Sequence, residues 1–228
     1  MRNYSFTDIL GPIMIGPSSS HTAGAAKLGL VARLINSKAF SKVTFQLHGS
    51  FYQTYKGHGT DKALIGGALG LEPDNTFLRH AYRLAVNEKV EIEFEAIDLD
   101  GEHPNTVNMI FHNDDGSTNQ IMGSSVGGGD IVIKKINNFE VDFTGTYPTL
   151  IVKHLDKKGL LSTLTTILAT QNINIATMEV SRTSKNKNAS IVVECDEHID
   201  DHVIELIEAI PDVLSVKYID VNRGDQYV

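Results

Sequence analysis

The sequence predicts a mixed α/β protein of the α+β kind, organised in two domains. Its 228 residues suit one large domain or two small ones, and 41% hydrophobic with 21% charged residues is typical of globular proteins. Segments with strand-like alternation and segments with helical spacing of apolar residues are interspersed along the chain. The pattern becomes more regular from Pro148 onward. We therefore expect one domain in residues 1–140, a linker within residues 137–148, and a second domain in residues 148–228.

The predicted second domain has the element order βαββαβ. Apolar residues recur at helical spacing from Leu160 to Leu168 and from Val203 to Ile210. Strands are expected around these helices, at residues 149–154, 173–182, 189–195 and 213–221. In such a split βαβ arrangement, two helices cover one face of an antiparallel sheet.

The predicted first domain is less regular. Apolar spacing from Leu28 to Ile35 predicts a helix directly after a serine-rich stretch, residues 63–69 predict a second helix, and Phe6 to Leu10 predicts one helical turn. The remaining apolar segments read as strands, at residues 43–47, 92–96, 107–111, 120–125 and 131–136.

Charge and composition exclude several classes of partner. The formal net charge is −8 and the pI is near 5.5, which disfavours nucleic acid and anionic membranes as partners but not a small anionic substrate. No apolar run approaches the ~20 residues that span a bilayer, and the first residues lack the apolar core of a signal peptide. The single cysteine, Cys195, excludes an internal disulfide and fits a reducing compartment. We expect a cytoplasmic protein.

The serine-rich stretch is the first candidate site. It reads Gly16-Pro17-Ser18-Ser19-Ser20-His21-Thr22-Ala23-Gly24 and directly precedes a predicted helix. One hydroxyl at a helix start is an ordinary N-cap, but three serines, His21 and Thr22 exceed what capping requires. With the free N–H groups of the helix start they predict an anion pocket that has an imidazole beside it.

The second candidate is the segment Lys56-Gly57-His58-Gly59-Thr60-Asp61. His58 lies between two glycines, which permit close approach of the backbone to a ligand, and imidazole is suited to general base catalysis near neutral pH. Lys56 could hold a carboxylate, and Thr60 or Asp61 could cap the next helix. A plain surface loop is the alternative interpretation.

The third candidate is His103-Pro104-Asn105-Thr106, at the entrance of a predicted strand. Asn105 and Thr106 could line a cleft there, although these residue types are also ordinary turn formers. Metal binding by this chain is not expected, because its nine histidines are scattered without an HExxH motif. An iron–sulfur cluster also needs several thiolates.

The second domain resembles an ACT domain, a regulatory module that binds amino acids. The resemblance rests on His154-Leu155-Asp156-Lys157-Lys158-Gly159 and Asn172-Ile173-Asn174-Ile175-Ala176, which look like the serine-effector segments of phosphoglycerate dehydrogenases. It implies an allosteric site at His154, Asp156, Gly159 and Asn174. Asp156 stands where that pattern has Asn, and the alternative is that Asp156 and Gly159 only cap and turn the chain into the helix.

Taken together, the three candidate motifs and the ACT-like domain resemble the β subunit of the two-chain, iron–sulfur-dependent L-serine dehydratase (L-serine ammonia-lyase) family. The resemblance implies deamination of L-serine, a partner α subunit that ligates a 4Fe-4S cluster, and a monovalent cation such as potassium. It implies catalytic roles for His58, His21 and Ser19, with His58 the first choice of base and a serine alkoxide its rival. It also implies substrate binding by Ser18, Ser19, Ser20, Thr22, Lys56, Thr60, Asp61, Asn105 and Thr106.

A second hypothesis gives the chain no catalytic residue. The first domain also resembles the allosteric substrate-binding domain of phosphoglycerate dehydrogenases, so the chain could be a serine-sensing regulatory subunit or a free-standing amino-acid-binding module. L-serine is then an effector rather than a substrate. In either case we expect dimerisation through the ACT-like or the N-terminal domain.

Overall fold

The computed structural model describes residues 18–221, so the predicted helical turn at Phe6 to Leu10, as well as Gly16 and Pro17, lies outside the described residues. The chain divides into two compact units, residues 1–134 and 135–228. Within residues 18–221, no helix has the length and apolar character needed to cross a bilayer.

The first unit alternates helices and strands. A π-helical turn, Ser19–Gly24, leads directly into α1 (Ala25–Asn36). Strand β1 (Phe40–Leu47) is followed by α2 (Gly49–His58) and α3 (Thr60–Ala68), then by a 3₁₀ turn (Thr76–His80) and α4 (Ala81–Asn87). The chain continues as strands, namely β2 (Glu91–Ala96), β3 (Thr106–Asn113), β4 (Thr118–Gly127) and β5 (Asp130–Ile136), which crosses the boundary at residue 134. Strand β6 (Phe139–Phe143) follows at the beginning of the second unit.

The first sheet is mixed. Its strand order is β2-β1-β3-β4-β5-β6, with β1 parallel to β2 and antiparallel to β3. Alternate residues of the central strands, including Phe45, Met109 and Phe111, are fully buried, as the period of two in a strand requires.

Helices α1 and α3 pack at unusually short range through glycine. A Cβ on Gly67 of α3 would collide with the backbone carbonyl of Ala26 and would lie 2.8 Å from the backbone nitrogen of Leu30 on α1. A Cβ on Gly29 of α1 would lie 2.6 Å from the carbonyl oxygen of Leu64. These contacts join the first half of α1, which follows the serine-rich stretch, to the second half of α3, which begins at the candidate residues Thr60 and Asp61.

The second unit confirms the predicted βαββαβ order. After β6, its elements are β7 (Thr149–Leu155), α5 (Leu160–Thr170), β8 (Ile175–Arg182), β9 (Asn188–Cys195), α6 (Asp201–Glu208) and β10 (Val213–Ile219). The sheet is antiparallel, in the order β10-β7-β9-β8. Leu150, Val152, Ile191 and Val193 form its core with Leu164 and Leu168 of α5 and Val203 and Ile207 of α6.

The structure differs from the sequence-based expectation at three places. Residues 56–58 form the last turn of α2 rather than a loop, because Gly57 is tolerated within the helix and only Gly59, at φ 71°, ends it. Helix α2 and helix α4 were not predicted, since Phe51 is the one fully buried side chain in α2 and α4 has only seven residues. Strand β6 lies inside the segment where a linker was expected.

Candidate active site

The serine-rich stretch folds as a wide, capped turn. Ser18 is its N-cap, and its Oγ accepts a hydrogen bond from the His21 backbone N–H at 3.2 Å. The turn packs on the end of β4, where a Cβ on Gly24 would collide with Ser125 Oγ. Turns of the π type are rare and are frequently found at functional sites.

Hydroxyl groups surround both ring nitrogens of His21. Nδ1 lies 3.1 Å from Ser20 Oγ and 3.5 Å from Ser18 Oγ, and the two serine oxygens are 3.4 Å apart. Nε2 lies 3.1 Å from the Oγ of Ser50, in the first turn of α2. Ser19 is half-buried, and its Oγ has no hydrogen bond within the described part of the chain.

His58 lies beside His21 at the end of α2. The two ring centroids are 5.0 Å apart with the planes tilted by 56°, and the His58 carbonyl accepts a hydrogen bond from Thr22 Oγ1 at 3.3 Å. His58 is exposed, and its ring nitrogens have no hydrogen-bond partner among residues 18–221. Burial, followed by the charge of His58, lowers the pKa of His21.

Thr60 and Asp61 begin α3 directly after this pair. Thr60 is fully buried, and its Oγ1 has no hydrogen-bond partner in the described residues. The Asp61 carboxylate accepts hydrogen bonds from Lys62 N at 2.8 Å and from the Tyr82 hydroxyl at 3.0 Å. Burial, followed by the negative charge of Asp61, raises the pKa of Tyr82.

Lys56 does not join the other predicted site residues. It is exposed, and its Nζ lies over the ring of Tyr55, 5.6 Å from the centroid. The side chains that the fold does bring together are those of Ser18, Ser20, His21 and His58.

The His103–Thr106 motif hydrogen-bonds the backbone at the start of α2. The Pro104 carbonyl accepts a hydrogen bond from Phe51 N at 3.2 Å, and the Thr106 carbonyl accepts one from His48 N at 3.0 Å. Thr106 is fully buried, with its Oγ1 2.6 Å from both the His103 carbonyl oxygen and Ser124 Oγ.

Asn105 lies in the same turn and extends these links to the end of β4. Its Nδ2 lies 3.5 Å from the Ser125 carbonyl. These contacts hold the start of α2 and the end of β4 in place.

Two residues of the site were not predicted from the sequence. Ser50 and Tyr82 lie in α2 and α4, the two unpredicted helices, and neither belongs to a polar cluster in the sequence. Only the amphipathic signal of those helices could have pointed to them, and it is weak in α2.

The predicted effector residues Asp156, Gly159 and Asn174 have structural roles within the second unit. Asp156 accepts hydrogen bonds from Arg182 Nη1 at 3.1 Å and Asn186 N at 3.0 Å, and these contacts, the Asn186 one first, lower the pKa of Asp156. Asn174 donates to Asp196 at 2.6 Å. Gly159 has φ 90° and turns the chain into α5.

His154 differs from these neighbours. It is 3% exposed, and its Nε2 has no hydrogen-bond partner within residues 18–221.

The described residues do not provide a metal-binding set. Residues 18–221 contain no group of three or more His, Cys, Asp or Glu side chains that could hold a metal ion. Cys195 is buried in the core of the second unit, and burial, followed by the charges of Glu197 and Asp196, raises its pKa to about 12. A thiol with that pKa is not a ready ligand, because metals bind the thiolate.

Both units have recognisable relatives. The family model of the serine dehydratase beta chain matches residues 5–136, and the model of the ACT domain matches residues 148–212. The chain is 39% identical over 216 residues to the probable L-serine dehydratase, beta chain, of Bacillus subtilis (strain 168), covering 95% of this chain and 98% of that protein.

Two further relatives match nearly the whole chain and a part of it, respectively. The chain is 37% identical over 222 residues to the L-serine dehydratase, beta chain, of Peptoniphilus asaccharolyticus, covering 97% and 100% of the two chains. It is 36% identical over 89 residues to the D-3-phosphoglycerate dehydrogenase of Bacillus subtilis (strain 168), which is 39% of this chain and 17% of that protein.

Proposed function

The chain belongs to the family of serine dehydratase beta chains, and we propose that it is the beta subunit of an L-serine ammonia-lyase. Together with a cluster-bearing alpha subunit it deaminates L-serine to pyruvate and ammonia. The observation that supports this most directly is the pair of imidazoles 5.0 Å apart beside the hydroxyls of a capped turn, with the ring of His58 free to meet a ligand. The reaction requires a base for a weakly acidic Cα–H and a grip on a carboxylate.

His58 is the proposed base. The Thr22 hydroxyl donates to the His58 backbone carbonyl at the end of α2, and the exposed ring can take the α-proton at a ring nitrogen. The Cα–H electron pair forms the new double bond as the C–O bond breaks and hydroxide leaves. The resulting aminoacrylate tautomerises and hydrolyses to pyruvate and ammonia.

The capped turn is the proposed carboxylate site. The hydroxyls of Ser18, Ser19 and Ser20 lie at the start of the helical segment, where free N–H groups and the helix dipole favour an anion. The backbone of Thr22 belongs to the same turn, while its hydroxyl holds His58. Thr60 and Asp61 line the adjacent start of α3.

The cluster is proposed to be ligated by the alpha subunit, because the residues of this chain do not fit that role: they offer one buried thiol and no cluster of ligands in residues 18–221. When bound, a 4Fe-4S cluster would supply a Lewis acid for the departing hydroxyl group. We also propose that the enzyme requires a monovalent cation such as potassium. Comparing its activity in potassium chloride with that in choline chloride tests this directly.

The decisive experiment is anaerobic co-expression of this chain with its cysteine-rich alpha subunit and assay of pyruvate formed from L-serine. General base catalysis contributes ~10²- to 10⁴-fold, so His58→Ala should lower kcat by at least about a hundredfold with the cluster content unchanged. The matched control is His80→Ala, which removes an exposed histidine of the 3₁₀ turn. A loss below tenfold would remove His58 from the role of base.

A serine-sensing role of the second unit is a second candidate function. The observation that favours it is the buried Nε2 of His154, which lacks a partner in the described residues and which a ligand could satisfy. Isothermal titration of the full chain with L-serine, before and after His154→Phe, tests it. If the variant still releases or absorbs the same heat on addition of L-serine, serine binds at another site.

Dimerisation through the second unit is also proposed. Strands β8 and β10 are the edges of its sheet, and they expose Val180 and Leu214. Exposed edge strands are templates for pairing with another chain. Sedimentation of the full chain with Leu214→Lys should show a shift toward monomer.

A further inference from the structure

Ser50 is one of the two site residues that no motif in the sequence identified. It lies in the first turn of α2, and its Oγ is 3.1 Å from His21 Nε2. Within residues 18–221, that ring nitrogen is the only hydrogen-bond partner of the Ser50 hydroxyl. A hydroxyl farther along a helix can donate to the carbonyl four residues earlier, but for Ser50 that carbonyl belongs to Gln46 in β1.

The position of Ser50 is set by rigid neighbours. Gly49 has φ 55°, and a Cβ there would lie 2.8 Å from the Pro104 carbonyl oxygen and 2.9 Å from the Pro104 Cα. On either side of this close approach, Phe51 N and His48 N donate to the carbonyls of Pro104 and Thr106. The backbone that carries Ser50 is therefore clamped against the His103–Thr106 motif.

We propose that Ser50 is a positioning residue that sets the tautomer of His21 by donating its hydroxyl hydrogen bond to Nε2. The ring proton then resides on Nδ1, which points at Ser20 Oγ, 3.1 Å away. Ser18 Oγ already accepts the His21 backbone N–H. With Ser20 and Ser18 both accepting, their own hydroxyl protons can turn from the 3.4 Å contact between the two oxygens to a bound carboxylate.

This arrangement separates the roles of the two histidines. Both ring nitrogens of His21 are engaged by hydroxyls of this chain, while the ring nitrogens of His58 have no hydrogen-bond partner among the described residues. A neutral histidine ring has one nitrogen that donates a hydrogen bond and one that accepts. A partner that donates to one nitrogen therefore places the ring proton on the other. The link to catalysis rests on the proposed function, whereas the tautomer does not.

The first test uses the full chain without the alpha subunit. Long-range ¹H–¹⁵N spectra of the histidine rings, with His21→Gln for assignment, report which nitrogen of neutral His21 carries the proton. We expect Nδ1–H in the unmodified chain. Ser50→Ala should populate the Nε2–H tautomer and raise the pKa of His21, since the lost bond stabilised only the neutral ring.

Two variants control this measurement. Ser50→Thr keeps the hydroxyl and should keep the tautomer and the pKa. Thr54→Val removes a hydroxyl of the same helix, one that bonds the Ser50 carbonyl and not the ring, and should change neither. An Nε2–H tautomer in the unmodified chain, or a His21 pKa that falls or stays constant in Ser50→Ala, overturns the proposal.

The second test uses the complex with the alpha subunit. Because the serine hydroxyls lose their orientation, Ser50→Ala should raise KM for L-serine by roughly tenfold, the effect of about one hydrogen bond, with a smaller change in kcat. Ser50→Thr should restore KM to within about threefold. An unchanged KM in an active complex overturns the role in carboxylate binding. If the unmodified complex makes no pyruvate, the proposed function fails, and the spectra still decide the tautomer.

Discussion

The candidate sites of the two units use their polar residues in opposite ways. In the first unit, groups of the capped turn and α2 meet over sequence separations of 29 and 36 residues, as in the bonds of His21 to the Ser50 hydroxyl and of Thr22 to the His58 carbonyl. In the second unit, Asp156 and Asn174 form hydrogen bonds across similar separations of 22 to 30 residues, but with partners at the ends of neighbouring sheet strands, so their polar atoms are used by the fold itself. The first site thus leaves the ring of His58 available to a ligand, whereas in the second site most polar groups are already hydrogen-bonded to other residues of the unit.

The difference has a physical origin in how each site is supported. The first depends on helices that touch backbone to backbone at glycines, and a small displacement would separate the hydroxyls from the rings. The second depends on hydrogen bonds at the ends of strands that one antiparallel sheet already holds in register. The first site should therefore be sensitive to distant packing changes, and the second should tolerate changes in its own residues.

Gly67→Ala should have the largest effect on stability. The new Cβ would collide with the Ala26 carbonyl, and backbone cannot yield as a side chain can, so we expect a loss of about 3 kcal/mol at the upper end of overpacking costs. Urea unfolding of the full chain measures it. The control is Gly57→Ala in α2, where a Cβ meets nothing within 4 Å and should stabilise by about 0.5–1 kcal/mol. Equal effects of the two substitutions would contradict the close packing of α1 on α3.

Tyr82→Phe should have an intermediate effect. It removes one of the two hydrogen bonds that the buried Asp61 carboxylate accepts, and bonds to charged groups are worth about 1.5–3 kcal/mol. We expect a loss near the lower end, because Tyr82 is 42% exposed and water can replace it. Thermal unfolding compares this variant with Tyr52→Phe, whose exposed hydroxyl has no hydrogen bond within the described residues.

The pH dependence of stability should reveal His21. The folded state lowers its pKa below the ordinary 6.5, so below that pH the unfolded chain binds more protons than the folded chain. Stability is therefore lost as the pH falls through 6.5 and is complete above it. Unfolding midpoints measured between neutral and mildly acidic pH should fall less steeply in His21→Gln than in the unmodified chain. Parallel curves would show that His21 is not desolvated.

Asp156→Asn should have the smallest effect. The exposed Arg182 and the turn at Asn186 lose a charged acceptor, and surface contacts of this type contribute little to stability. We expect a melting temperature close to that of the unmodified chain and kcat within about twofold, since a rim contact carries little energy. A large loss of L-serine binding or of its effect on activity in this variant would show that Asp156 is needed for the function of the second site. The contrast between the two sites would then not hold.

Much of the fold was accessible from the sequence. The βαββαβ order of the second unit followed from apolar spacing, because its helices have strong one-sided apolar stripes, as Leu160, Leu164 and Leu168 show. In the first unit α1 and most strands were also predicted. Helix α2 was missed because few of its side chains are buried, and the glycines around His58 resembled a loop although only Gly59 breaks the helix.

The site was only partly accessible. The predictions of a hydroxyl-rich helix start and of a histidine beside it came from residue types that have little use in a core. Which of these residues meet could not be predicted, since contacts across 29 or 36 residues depend on helix packing. Lys56 was a reasonable carboxylate ligand by charge, yet it lies at the helix surface over Tyr55.

By itself, the sequence determined the family, the two-unit organisation and the chemical character of the site, because these follow from local patterns and from motifs read in order. The tertiary structure decided which groups share one place. It places the Ser50 hydroxyl within hydrogen-bond distance of His21 Nε2, buries Thr106 next to the start of α2, and leaves the ring of His58 exposed. The reason is that residue type specifies what a group can do, whereas the close packing of α1 on α3 and the clamp of α2 on Pro104 specify which groups are near enough to do it together.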